Sequence, residues 1–370
     1  MLTNILGIRL VLLLGKSVPL PASYDLMSAF VKAEVTNDAK NGDGFQMTFS
    51  LSKGLVDYNL LDGTFDPDTR VILGVILGAI PQVLIDGIVT HHQVAPSNEP
   101  GMSTLTVTGS DLTVALDKEE KNKKYDNQPD SVIFSSLIAN YAQYGLIPAP
   151  TLTTNIPLSV YETPWQQETD LKFIQRMAER NGFVFYIEPV TFGVNTAYFG
   201  PESRLGVPQP ALTMNMGSWT NVDSLSFSLD GMAPVSTKGS FVEPITKLTI
   251  PIPSLPSLKI PPLVASPAPA LRTVLMRDTA NQNAGKAATS AVAALTNSPD
   301  AVKADGKVDT VRYGSILRAR KLVGVRGAGL SYNGYYFVQR VSTTIERGQC
   351  SQSFSLTREG TKSLLPVVIP

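Results

Sequence analysis

The hydrophobic pattern changes period along the chain, and the changes mark its organisation. From residue 5 to about 115, strand-length apolar runs alternate with turn signals: IRLVLLLGK, AFVKAEVTN, GFQMTFSLS, VLIDGIVTHHQV and STLTVTGSDLTVAL. Many short strands with little helix between them predict a small barrel or sandwich. NGDG at 41 to 44 supplies a hairpin turn.

Between about 117 and 190 a helical period appears. DKEEKNKKYDN reads as a solvated turn or exposed segment. In SVIFSSLIANYAQYGL, Ile133, Leu137, Ile138 and Tyr141 share one stripe, and Gly145 stops the helix. In DLKFIQRMAERNGFVFYIEP, Leu171, Ile174, Met177 and Ala178 make a second stripe that ends at Asn181-Gly182, where a left-handed residue is expected. The period then becomes two. Phe183, Phe185 and Ile187 point one way, Val184 and Tyr186 the other, so this strand has no polar face and is predicted to be covered on both sides.

Residues 250 to 269, IPIPSLPSLKIPPLVASPAP, hold seven prolines. Proline removes backbone donors and favours extended geometry, which predicts a stiff connection outside any sheet interior. An alanine-rich helix is expected across 284 to 296, with Pro299 beyond its end. From 307 onward VDTVRYGSILRARKL, GYYFVQRVSTTIE and CSQSFSLTRE return to strand character. The chain reads β, then α+β, then an extended connection, then β again.

Composition narrows the function classes. At 370 residues there is length for two or three domains. Lys+Arg and Asp+Glu are equal at 31 each, so the basic excess of a general nucleic-acid binder is missing. The single cysteine, Cys350, allows no internal disulfide framework and no cysteine zinc site, and reads as a half-buried strand residue. After Arg9 only five apolar residues follow, short of the roughly 7 to 15 of a secretory core, so assembly in the cytoplasm is expected. The membrane-like stretch 71 to 90 is interrupted by Pro81, Gln82 and Asp86 and reads as two buried strands joined at a turn.

No constellation for catalysis emerges. His91 and His92 are the only histidines, and neighbours on a strand face opposite sides, which argues against one shared metal. No GxSxG elbow occurs. GKS at 15 to 17 lacks the phosphate-loop glycine, since Leu10 stands there. GVRGAG at 324 to 329 is expected to be a hairpin loop, without the helix a dinucleotide site needs. Asp62, Asp66 and Asp68 alternate as in a calcium loop, but Pro67 holds the position that requires glycine. No catalytic, cofactor or metal residue is assigned.

The order of four motifs resembles a known family. DTRVILGVILGAIPQVLIDGIVTHHQVAP has an apolar strand ending in an Asp-Gly step. VTGSDL follows as strand, turn and aspartate, and PDSVIFSSLIANYAQYGL as a helix ending in tyrosine and glycine. ETDLKFIQRMAERNGFVFYIEP and the hairpin NGYYFVQRVSTTIERGQCSQSFSLTREG, with its turn at Gly348, complete the set. Together, over most of residues 70 to 360, they resemble phage tail hub proteins of the late control D type and the hub part of VgrG proteins. The proline-rich insert lies outside that pattern. Many relatives carry a histidine where this chain has Val341-Ser342-Thr343.

The resemblance implies a mainly β fold with an α+β insertion: two small tube-like β-barrels plus an α/β domain, in a trimeric hub. Residues 1–115 would form the first barrel, 116–232 the α+β domain, 233–305 a proline-rich linker and helix, and 306–370 the strands completing the second barrel. Three copies would present six barrels to a hexameric inner tube on one side and a trimeric spike on the other. No repeat follows Gly360, so the spike is expected to be a separate protein. The implied function is structural and non-enzymatic, within a baseplate, with tube, spike and other baseplate proteins as partners, no cofactor, no specific nucleic acid and no membrane insertion. The alternatives are a tail-tip cell-wall hydrolase and a monomeric β-rich binding module.

Overall fold

A computed structural model of the chain describes residues 8–16, 18–51, 63–99, 102–153, 164–242, 249–252, 259, 261–275, 296, 298–364 and 368. The protein is mainly β. The first lobe contains β1 (Ile8–Gly15), β2 (Leu20–Pro21), β3 (Phe30–Asp38), β4 (Gly44–Leu51), β5 (Arg70–Leu77), β6 (Ile80–Ala95) and β7 (Ser103–Asp111). Alternation decides its inner face: Ala33 and Val35 on β3 and Phe45, Met47 and Phe49 on β4 are buried in one core. Asp38 accepts from the amides of Lys40 and Asn41 and shapes the β3–β4 turn, which spans 39 to 43, slightly ahead of the 41 to 44 expected. The membrane-like stretch is, as read, two strands that turn at Gly78 (φ 65°). Val71, Leu73 and Val75 face the first core, while Ile88 belongs to the core of the α+β body. A β5–β6 pair covered on both faces accounts for the nearly unbroken apolar run.

The α+β body contains β8 (Glu120–Lys124), β9 (Leu146–Pro150), β10 (Trp165–Thr169), β11 (Val184–Thr191) and β12 (Val194–Gly200), with helices Asp130–Ala139 and Asp170–Asn181. Thr169 caps the second helix by accepting from the Lys172 amide, and Gly182, at φ 66°, ends it where the sequence indicated. The first helix is shorter than expected. It stops at Ala139, and Gly145 (φ 69°) instead ends a 3-10 turn, Ala142–Tyr144. Of the two expectations for the charge run, the exposed segment holds: EKNKK is an exposed strand that pairs along β10. Both faces of β11 are covered within the chain. Phe183, Phe185 and Ile187 join the core beneath the helices, while Val184 and Tyr186 look toward Ala39, Arg320 and Phe337 of the β lobes.

The second lobe is built from β13 (Gln209–Thr213), β14 (Ser224–Leu229), β18 (Val302–Asp309), β19 (Leu322–Arg326), β20 (Gly334–Glu346) and β21 (Gln349–Arg358). Between β14 and β18 an insertion carries β15 (Val235–Val242), β16 (Thr249–Ile252) and β17 (Arg272–Leu275) as a small sheet of its own. Pro251 lies in β16, at the edge of that sheet, where a missing donor is tolerated. The helix expected at 284 to 296 falls outside the described residues, Thr296 excepted.

The two lobes share one topology. Leaving aside the two-residue β2, which pairs with β1, the first runs β1-β5-β6-β7-β4-β3 and the second β13-β19-β20-β21-β18-β14, the same order of first, fourth, fifth, sixth, third and second strand. Each pairing is antiparallel, save that β13 lies parallel to β19. Each lobe also has a bulge in its fifth strand, between Val89 and His91 and between Val338 and Arg340. β20 continues past β19 and pairs with β3 from Arg340↔Asp38 to Glu346↔Lys32, so thirteen strands form one sheet. The lobes have separate cores, but no described pairing joins β3 to β1 or β14 to β13, so neither closes into a hydrogen-bonded barrel.

Candidate assembly site

Buried ion pairs hold the two lobes and the α+β body in register. Between the lobes, Arg320 donates to both oxygens of Asp43 and to the Asp38 carbonyl, and its guanidinium lies 4.5 Å from the centre of the Tyr186 ring. Asp43 also accepts from Asn37 Nδ2 and the Asp38 amide, each at 3.0 Å. Asp111 sits next to this pair. Burial, then the Asp43 charge, pushes its carboxyl up to about 7, against hydrogen bonds from Thr113 and the more distant Arg320. Arg318 adds a donor to the Val83 carbonyl and one to Gln82 Oε1, at 3.2 Å.

A second pair ties the β5–β6 hairpin to the body. Asp86 accepts from Arg70 Nε at 2.8 Å, Arg70 Nη2 at 2.7 Å and Asn195 Nδ2 at 2.8 Å, while Arg70 and Asn195 also donate to the Tyr144 carbonyl. This explains the Asp-Gly step of the sequence motif. The aspartate anchors the body, and a Cβ on Gly87 would lie 2.3 Å from the Ser110 carbonyl oxygen. A third cluster closes the base of the insertion: Arg204 contacts Glu202, Asp300 and Glu359, and Lys259 contacts Asp300 at 2.9 Å. Burying so many charges is tolerable only because each has a partner.

The candidates weighed from sequence do not converge. His92 Nδ1 lies 3.0 Å from the Phe65 carbonyl, and among the described residues no group of three metal-capable side chains forms. Asp62 lies outside the described residues. Asp66 pairs with Lys16 and Asp68 with Lys118, each on the surface. Gly15 and Lys16 leave β1 at its end. The GVRGAG stretch leads into a single helical turn, Gly329–Tyr332, not into a phosphate-binding helix. Cys350 is fully buried, and burial pushes its thiol up to about 11. Ser342 meets Thr36 across the lobe junction at 3.2 Å, and Thr343 accepts from Gln352.

Among the described residues, two strand edges have no partner strand. Among the described strands, β14 is bonded only to β18, and beyond residue 89 β6 is bonded only to β7. Both segments are largely exposed. Among the described residues no helix is long and apolar enough to cross a membrane.

No protein-family model and no curated protein matches the sequence. The fold does match solved structures. The prophage MuSo2 43 kDa tail protein from Shewanella oneidensis aligns over 95% of this chain and 99% of its own, with TM-score 0.64 and 14% identity. A tail protein from Neisseria meningitidis aligns over 96% and 98%, with TM-score 0.62 and 13% identity. A component of the E. coli type VI secretion system, described as structurally similar to the T4 bacteriophage tail proteins gp27 and gp5, aligns over 91% of this chain and 77% of its own, with TM-score 0.55 and 12% identity. The similarity to phage tail hub proteins read from the sequence thus holds at the level of fold.

Proposed function

We propose that this chain is the homotrimeric hub of a baseplate in a contractile tail or related injection particle. Three copies join a hexameric inner tube to a trimeric spike and start tube assembly. The observation that carries this reading is the internal duplication: one chain holds two lobes of identical strand order sharing one sheet. A trimer of such chains offers six similar lobes to a six-fold tube and three α+β bodies to a three-fold partner. In this reading residues 1–115 supply one lobe, 116–232 the body together with β13 and β14 of the second lobe, 233–305 the insertion and the start of β18, and 306–370 the rest of β18 with β19 to β21. Other baseplate proteins contact its periphery, and the particle assembles in a bacterial cytoplasm.

The reading is structural. It assigns no catalytic residue, because Asp66 and Asp68 each engage a separate surface lysine and converge on nothing. A tail-tip hydrolase would need such convergence. The test is co-expression with an inner-tube protein of a contractile tail. The hub reading expects tubes capped at one end by this chain, at a ratio of three copies per tube end. Tubes that form at the same rate without it, and never carry it, would refute the reading.

A further inference from the structure

We infer that the unpaired edge of β11 is a peptide-binding site, which takes a short extended segment of a partner protein with an apolar residue followed by an acidic one. The inference goes beyond the hub reading and does not depend on it. The backbone of β11 decides its first half. Within its sheet β11 is bonded to β12 alone, and β12 lies between β11 and β9. Phe199 of β12 gives its carbonyl to the Thr151 amide, at 2.7 Å, and so turns its backbone groups toward β9. Phe185 stands opposite Phe199. The two are therefore a non-hydrogen-bonded pair, and the N–H and C=O of Phe185 point away from β12. Among the described residues neither group has a partner on that side. Open edges of this kind are where extended peptides add to a sheet.

The side chains around the edge decide the second half. A cleft of about 410 Å3, within the range of ligand pockets, opens along β11. Phe183 and Phe185 from one face of the strand and Val184 from the other line it together, which places it beside the strand and not over it. A residue that bonds both backbone groups of Phe185 puts its side chain on the Phe185 side, near Ala178 and Phe183, where an apolar group fits. In an antiparallel segment the next residue stands opposite Val184, on the side of the β3–β4 turn. Of the charged groups lining the cleft, Lys259 is engaged by Asp300 and Glu202 by Arg204. Lys40 is exposed and has no carboxylate partner among the described residues, so an aspartate opposite Val184 supplies one. Glu179, on the helix wall of the cleft, disfavours a second acid. The residue before the apolar one stands opposite Tyr186. There a cavity of about 10 Å3 is lined by Tyr186, Ser203 and Arg320, and among the described residues the buried Arg320 Nε has no acceptor. The space suits one hydroxyl, and an acceptor placed there removes the cost of a buried donor left unmade. The segment that fits reads Ser-Val-Asp.

The experiment titrates the full-length chain with the acetylated, amidated peptide Thr-Ser-Val-Asp-Thr, followed by saturation-transfer NMR. The expected result is saturable binding that is lost when the valine amide is N-methylated, because the methyl group removes the donor to the Phe185 carbonyl. Lysine in place of the peptide aspartate weakens binding about fivefold or more, the effect of one partly exposed charge pair. K40E, at an exposed turn position, reverses that preference. Absence of saturable binding overturns the site. Binding that survives N-methylation overturns the strand pairing. Equal affinity for the aspartate and lysine peptides, or a preference that K40E leaves unchanged, overturns the acidic class of the segment.

Discussion

Replacing Arg320 by alanine perturbs the node where the two lobes and the α+β body meet. The Arg320 side chain is 7% exposed and that of Asp43 1%. R320A would leave Asp43 buried with only Asn37 Nδ2 and the Asp38 amide as donors and would remove the cation from the Tyr186 ring. Removing one partner of a buried ion pair costs about 3–5 kcal/mol, because the remaining charge stays desolvated. Asp111 gives the effect a pH signature. Its folded-state pKa, about 7, lies above the unfolded value of 3.8. Between these values the folded chain holds a proton that the unfolded chain has released, so stability falls as pH rises from about 4 to about 7 and levels off above. Arg320 is among the groups that lower the Asp111 pKa; without it the fall extends above pH 7, and R320A costs more at about pH 8.5 than at about pH 5. Urea unfolding followed by circular dichroism, for R320A and for R320A/D43N, measures both effects. The double variant should recover at least half of the loss, since a neutral amide leaves no buried charge. A cost below about 1 kcal/mol, the range of an exposed pair, or one independent of pH, would refute the argument.

Other consequences follow from the same packing. Among the described residues R204A removes the one cation that touches Glu359, whose carboxyl burial already pushes up, and should cost a comparable 3–5 kcal/mol, measurable as a lowered urea midpoint. G109A places a Cβ 2.3 Å from the Ile88 carbonyl and 2.4 Å from the Phe45 ring; it should destabilise by more than about 2 kcal/mol, whereas G42A, at an open turn, should cost under about 1.5 kcal/mol in the same assay. Cys350 should resist maleimide in the native chain at neutral pH and react fully in denaturant, because its thiol is buried and scarcely ionised.

How far the sequence could be read depends on how local each cause is. The helix stop at Gly182, the turn between β3 and β4 and the alternation of those strands are decided by neighbours within a few residues, and all were legible. The strand FVFYI announced that both its faces are covered, but not that Arg320 covers one of them, 134 positions beyond Tyr186. Arg204 was silent for the same reason: Asp300 and Glu359 lie 96 and 155 positions away. Arg358 carried no signal either. It is fully buried and, among the described residues, bonds only to the carbonyls of Gly360, Asn333 and Ser331, acceptors that any sequence offers. The duplication was hidden because one hairpin, β14–β18, is split by the insertion, and because a sheet demands alternation and not particular residues. EKNKK was legible as an exposed segment but not as a strand, since its charges suit a strand paired with β10 as well as a turn.

The most direct test of the hub reading is the native mass of the purified full-length chain, combined with negative-stain views along the symmetry axis. The account predicts three chain masses and a ring of six lobes around a central opening. A chain that stays monomeric, and stays so when the tube and spike proteins are added, would contradict it.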